Sequence, residues 1–255
     1  MRLSLIKRLS ALFFLLCSMA QAGEVTVSAA SSLTNAFQEV ARAYEAEHAG
    51  ATVLLNFGAS GALLQQMTKG APVDVFASAD QQTMDVAAER QLIETGSRQD
   101  FARNTLVVIT PHDSDIKLKQ LTDLQQPGVE RVAIGNPASV PVGSYSREAL
   151  EAASLWEVVQ AKAITTQSVR QALDYVARGE VEAALVYATD AELMKDMVKL
   201  AFSVPLKSAI AYPIAQLSDS ANSQEAQRFI AYVQSAAGQA ILARHGFLNP
   251  EHETR

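Results

Sequence analysis

Residues 24–29, 52–57 and 73–77 are short runs rich in Val, Ala, Leu and Phe, with the length and composition of strands. Between them the spacing changes to that of a helix. Leu33, Phe37, Val40, Ala41 and Tyr44 line one face over residues 34–47. A shorter helix is predicted over 61–69, stopped by Gly70, and Asp80 stands where an N-cap would start the next one. The rhythm continues with strands at 104–110 (ended by Pro111), 131–135, 183–187 and 212–217. Helices are predicted over 143–153, over 169–178 with Gly179 closing it, and over 224–244. The last packs Phe229, Ile230, Val233 and Ile241 and ends at Gly246. Strands and helices in alternation predict an α/β fold with mostly parallel sheet.

Nothing in the pattern marks a linker. There is no internal repeat, no low-complexity tract and no Pro/Gly-rich stretch near the middle. A chain that crosses twice between two lobes leaves no such break, and crossings are expected near Asn104 and Ala211. The predicted division is a first lobe over 23–103 and 211–255, with a second over 104–210. Ligands of α/β sheets bind at the carboxyl ends of strands, so facing lobes would hold a ligand in the cleft between them.

The first 22 residues fall outside this pattern. Arg2, Lys7 and Arg8 precede a mostly apolar stretch too short to span a bilayer, followed by Ala20-Gln21-Ala22, a small-x-small cleavage site. This is the design of a signal peptide, and the exported, mature chain is expected to begin at Gly23. Cys17, the single cysteine, lies in that segment and follows Leu15-Leu16 rather than the small residue a lipidation site wants. The mature chain would then hold no disulfide. Of the 21 Lys and Arg, three fall in residues 1–22, so the remainder carries 18 against 27 Asp and Glu, a net charge of −9. That balance argues against nucleic acid or an acidic membrane as partner. It also means that any bound anion must be held by local dipoles.

Two serine segments offer such dipoles. Ala30-Ser31-Ser32-Leu33-Thr34 and Phe57-Gly58-Ala59-Ser60-Gly61-Ala62 each follow a strand-like run and open into a helix-like one. A hydroxyl and free backbone N–H groups at a helix start hold an anion without a cationic side chain. Pro141-Val142-Gly143-Ser144 and Ser168-Val169-Arg170 start two more helices, and Tyr187 ends the apolar run 183–187. Each has a plainer reading. Ser144, Thr165 and Ser168 can be helix caps, and Tyr187 a core aromatic whose hydroxyl needs a partner.

Taken together these segments resemble the periplasmic molybdate-binding proteins of ABC importers. The likeness runs through Ala-Ala-Ser-Ser-Leu-Thr-Asn-Ala-Phe, Asn-Phe-Gly-Ala-Ser-Gly-Ala-Leu and Gly70-Ala71-Pro72-Val73-Asp74-Val75-Phe76-Ala77-Ser78-Ala79-Asp80. It continues through Gly135-Asn136-Pro137, Val140-Pro141-Val142-Gly143, Val169-Arg170, Leu185-Val186-Tyr187 and Arg244-His245-Gly246-Phe247, and so covers essentially the whole mature chain. The resemblance implies a two-lobed type II periplasmic binding fold that closes on its ligand. It implies molybdate or tungstate as that ligand, a membrane ABC permease as partner, a monomer, and neither enzymatic activity nor a cofactor. The implied ligand set is Ser32 and Ser60, by hydroxyl and backbone donors, from the first lobe. The second lobe would add the backbone N–H groups of Val142 and Val169 and the phenol of Tyr187. Arg147 and Arg170, near two of the helix starts, are read as solvated or outer charges rather than ligands.

The set suits a tetrahedral dianion, which offers acceptors only and so calls for donors only. Sulfate has the same charge and a smaller size; hydrogen phosphate brings a proton that would find no acceptor. An exported serine hydrolase would need a histidine base near its serine. His48, His112, His245 and His252 lie in polar stretches, at a helix end or in a loop, and Ser60 lacks the glycine spacing of a nucleophile elbow. Asp113 and Asp115 beside His112 do not make the ligand cluster of a cation site.

Overall fold

The computed structural model describes residues 23–250, so the signal-peptide reading of 1–22 lies outside it. Ten strands form two five-stranded sheets among the described residues. The first has the order β2-β1-β3-β10-β4, from β1 (Glu24–Ala30), β2 (Thr52–Gly58), β3 (Val75–Ala77), β4 (Gln99–Asn104) and β10 (Ile210–Gln216). The second has the order β7-β6-β8-β5-β9, from β5 (Leu106–Pro111), β6 (Val132–Gly135), β7 (Ala163–Thr166), β8 (Ala183–Tyr187) and β9 (Val198–Ser203).

The two sheets repeat one design. β1 pairs in parallel with β2 and β3, and β6 in parallel with β7 and β8. A returning strand then adds antiparallel pairing: β10 against β3 and β4, and β5 against β8 and β9. Both parallel sets are covered by helices, and the inner strands β6 and β8 are buried on both faces, β8 at all five residues. The chain passes from the first sheet to the second at Thr105, between β4 and β5, and returns between β9 and β10. This is a two-lobed α/β fold.

Nine α-helices pack on the sheets among the described residues: α1 (Thr34–Glu47), α2 (Ser60–Thr68), α3 (Gln81–Glu89), α4 (Pro141–Ala152), α5 (Trp156–Gln160), α6 (Val169–Ala177), α7 (Ala188–Leu193), α8 (Ser223–Gln234) and α9 (Ala236–Arg244). Helix α1 buries the predicted face of Phe37, Val40, Ala41 and Tyr44. Its Phe37 ring meets Phe101 and Phe229 at 5.6 and 6.2 Å. Asp80 caps α3 by accepting from the Thr83 amide at 3.0 Å.

Two sequence expectations are corrected. The apolar run 104–110 is not one strand: Asn104 ends β4 in the first sheet, and Leu106 begins β5 in the second. The run 224–244 is two helices. Ser235 takes an extended conformation (φ −67°, ψ 163°), and its hydroxyl accepts from the Gly238 amide at 3.2 Å to start α9.

Candidate functional site between the lobes

A small space lies where the carboxyl ends of β1, β2, β6 and β8 converge, lined from both lobes. Ser31, Ser32, Ala59 and Ser60 come from the first lobe; Val142, Val169 and Tyr187 come from the second. All five residues carried over in the resemblance therefore line one space. None of them is more than 2% exposed. Among the lining residues there is no histidine and no charged side chain.

Local sequence explains how each donor arrives. Ser60 is the first residue of α2, Val142 the second of α4 behind Pro141, and Val169 the first of α6. N–H groups in the first turn of a helix have no carbonyl within the helix to bond, so three helix starts aim free donors at the same place. Ser32 sits in a short 3-10 turn, Ser31–Leu33, between β1 and α1. Ser168 is a cap, as its plainer reading had it: its hydroxyl accepts from the Gln171 amide at 3.2 Å. Gly143 lets α4 begin this close to β6, since a Cβ there would lie 2.0 Å from the Gly135 carbonyl oxygen.

The hydroxyls are set as donors. Ser60 Oγ accepts from the Ala79 amide at 3.0 Å, which leaves its own proton for another partner. Ser32 Oγ lies 3.1 Å from the Tyr212 phenol. Tyr187 is the exception: its buried hydroxyl has no hydrogen-bond partner within the protein. A buried O–H left in this way costs about 1–3 kcal/mol, so the position is one where a partner is wanted. Burial holds the phenols of Tyr187 and Tyr212 well above their ordinary pKa, and both stay protonated donors at neutral pH.

Arg170 lies outside this space and acts across the cleft. Its Nε sits 2.8 Å from Asp190 Oδ1, while Nη1 donates to Asn35 Oδ1 at 2.8 Å and Nη2 to the Ser32 carbonyl at 3.1 Å. The sequence reading placed it outside the ligand set but gave no hint of this bridge. Arg147 is half-exposed, paired with Glu151 at 2.7 Å and stacked over Trp156.

Asp190 is fully buried, and burial pushes its carboxyl up to about 6 against the opposing pull of Arg170. A folded pKa above the unfolded one favours the native state when the group is protonated. That contribution is complete at low pH and is lost as pH rises through about 6. The stability of the wild type relative to Asp190→Asn should therefore fall by roughly 3 kcal/mol from acid to neutral pH, measured by urea unfolding without ligand. A difference that stays flat with pH would show that Asp190 ionises normally in the fold.

The lobes also touch at the rim. The Gly61 amide donates to the Ser139 carbonyl at 3.0 Å, and a Cβ on Gly61 would lie 2.7 Å from that oxygen. Gly61→Ala should hold the lobes apart. Overpacking of this kind costs about 1–3 kcal/mol, here charged to closure, so ligand affinity should drop about tenfold while the unliganded melting temperature stays put. Titration and thermal melts check it, and equal affinity would mean that closure does not bring Gly61 to Ser139.

Among the described residues no group of three or more His, Cys, Asp or Glu comes together to hold a cation. No helix among them is long and apolar enough to cross a membrane. His245, at the end of α9, pairs with Glu39 at 2.8 Å.

Fold and site together define a two-lobed binding protein with its cavity between the lobes. Residues 25–248 match the model of the bacterial extracellular solute-binding proteins, and the chain belongs to that family. It is 36% identical to the molybdate-binding protein ModA of Escherichia coli over 238 residues, covering 90% of this chain and 91% of that one. Its fold is similar to the periplasmic molybdate-binding protein of Azotobacter vinelandii, with a TM-score of 0.79 and 22% identity over 89% of this chain and all of that one. The sulfate-binding protein SubI of Mycobacterium tuberculosis has the same fold, with a TM-score of 0.78 and 16% identity over 89% and 87% of the two chains.

Sequence reasoning missed the groups behind the donors: the Ala79 amide, Tyr212, and Asn104 at the crossing. Tyr212 sits inside an apolar strand and carried no signal beyond its own hydroxyl, which needs a partner when buried.

Proposed function

We propose that this protein captures molybdate in the periplasm and delivers it to a membrane ABC permease. The observation that carries the reading is the buried, unpartnered hydroxyl of Tyr187, in a space otherwise lined by helix starts and serine donors. A tetrahedral dianion supplies acceptors and no donors, which is what these groups lack. In a closed, dry cleft their fixed dipoles are worth more than in water. Ser32 and Ser60 hold the anion from the first lobe; Val142, Val169 and Tyr187 hold it from the second. No one lobe offers the full set, so ligand favours the closed arrangement. The passages at Thr105 and between β9 and β10 act as the hinge. Tungstate, alike in charge and shape, binds the same groups. The protein works as a monomer, without cofactor or catalysis, after loss of residues 1–22.

Calorimetric titration with molybdate, tungstate, sulfate and phosphate tests the reading. Molybdate and tungstate should bind in the micromolar range or tighter, about −8 kcal/mol or better, with sulfate and phosphate much weaker. Sulfate binding equal to molybdate would overturn the ligand assignment.

A further inference from the structure

Behind Ser32 lies a chain of buried polar groups that reaches the crossing between the lobes. Ser32 Oγ meets Tyr212 Oη at 3.1 Å, Asn104 Nδ2 donates to Tyr212 Oη at 3.2 Å, and the same Nδ2 donates to Thr189 Oγ1 at 2.9 Å. Ser32 and Tyr212 are at most 2% exposed, and Asn104 and Thr189 at most 7%. Asn104 ends β4 in the first sheet, whereas Thr189 lies on α7, directly after β8 of the second.

The direction of every bond in this chain follows from counting donors. The Thr105 amide donates to Asn104 Oδ1 at 2.9 Å, so the side-chain amide cannot be reversed without setting two N–H groups against each other. Asn104 therefore presents Nδ2 to Tyr212, and a nitrogen donor cannot receive the phenol's proton. Ser32 Oγ is the remaining partner of that phenol. A buried O–H left without an acceptor is costly, so Tyr212 donates to Ser32. Ser32 Oγ thereby accepts from Tyr212, and its own proton, with no acceptor among the described residues, turns to the cavity. Ser60 reaches the same state by a shorter route, through the Ala79 amide.

We propose that Asn104 and Tyr212 are positioning residues that hold Ser32 as a proton donor, and that through Ser32 they set how strongly the donor-lined cavity prefers a fully deprotonated oxyanion. The inference rests on the oxyanion reading of the cavity and adds to it the residues that set the choice. Neither residue lines the cavity, so neither touches the anion. Tyr212→Phe removes the donor that fixes the Ser32 hydroxyl, which can then rotate and turn its oxygen toward a protonated ligand. Asn104→Asp goes further in nearly the same shape. Its carboxylate accepts from both Thr105 and Tyr212, the phenol then receives the Ser32 proton, and the Ser32 oxygen faces the cavity as an acceptor.

The test is titration of wild type and both variants with molybdate, sulfate and phosphate at mildly alkaline pH. Phosphate there is chiefly the singly protonated dianion, equal in charge to sulfate and close to it in size. The negative charge added by Asn104→Asp weakens all three dianions alike, so the sulfate-to-phosphate affinity ratio isolates the polarity. Wild type should favour sulfate over phosphate by about tenfold or more, and in either folded variant that ratio should fall by about tenfold. Circular dichroism and thermal melts establish folding, and Asn104→Asp carries the test if Tyr212→Phe does not fold. A wild type that binds molybdate but does not separate sulfate from phosphate overturns the inference alone. So does an unchanged ratio in both variants, the result of a merely structural role. A wild type that binds none of the three overturns the oxyanion reading, and this inference with it.

Discussion

Tyr187→Phe should weaken molybdate binding by one to two decades and leave the unliganded protein as stable as before, or slightly more so. The two effects separate because the Tyr187 hydroxyl makes no hydrogen bond within the protein although the residue is only 1% exposed. Removing it takes nothing from the unliganded fold and relieves a buried polar group that has no partner there. A hydrogen bond to a charged acceptor contributes about 1.5–3 kcal/mol, and the variant would lose that much on binding. The aromatic ring stays, so its edge contact with Tyr212 at 5.8 Å is kept. Calorimetry gives the affinity, and thermal melts give both the unliganded midpoint and its rise with ligand. Unaltered affinity would take Tyr187 out of the site. A large drop in the unliganded midpoint would mean that the hydroxyl has a structural partner.

The apolar rhythm made the central strands legible, and the places where it misled are edges and crossings. β6 and β8 are buried on both faces and read as continuous apolar runs, and β1 is buried from Val27 to its end. β4 (Gln-Asp-Phe-Ala-Arg-Asn) and β9 (Val-Lys-Leu-Ala-Phe-Ser) are edge strands, and their partly exposed, mixed composition resembles a loop. At Thr105 the apolar run continues while the chain changes sheet, because both sides of the crossing are buried. Hydropathy reports burial and not which sheet buries it. The donors at helix starts were readable because a strand end, a serine and a helix onset are all local features. Asn104 and Tyr212 were not, since they are more than a hundred residues apart and meet only once β4 and β10 pair.

Ser60→Ala should behave differently from Tyr187→Phe, losing both affinity and stability. The Ser60 hydroxyl has two tasks in the structure. Its oxygen accepts from the buried Ala79 amide at 3.0 Å, and its proton is free to meet the anion. Alanine removes the donor, worth about 1.5–3 kcal/mol toward a charged partner, or one to two decades of molybdate affinity. It also strands the Ala79 N–H at a fully buried position, at a cost of about 1–3 kcal/mol to the unliganded fold. The same position sets Asp80, whose carboxylate caps α3, so part of the loss should appear as loosening of that first turn. Val142→Ala offers the contrast: the backbone amide of Val142 remains, and affinity should change far less than in Ser60→Ala. Calorimetry measures the affinities, urea unfolding the stability, and hydrogen exchange of the Ala79 and Thr83 amides the local effect. Normal molybdate binding by Ser60→Ala would place the anion elsewhere in the cleft. A loss of affinity without any loss of stability would show that the Ala79 amide finds another acceptor when the hydroxyl is gone.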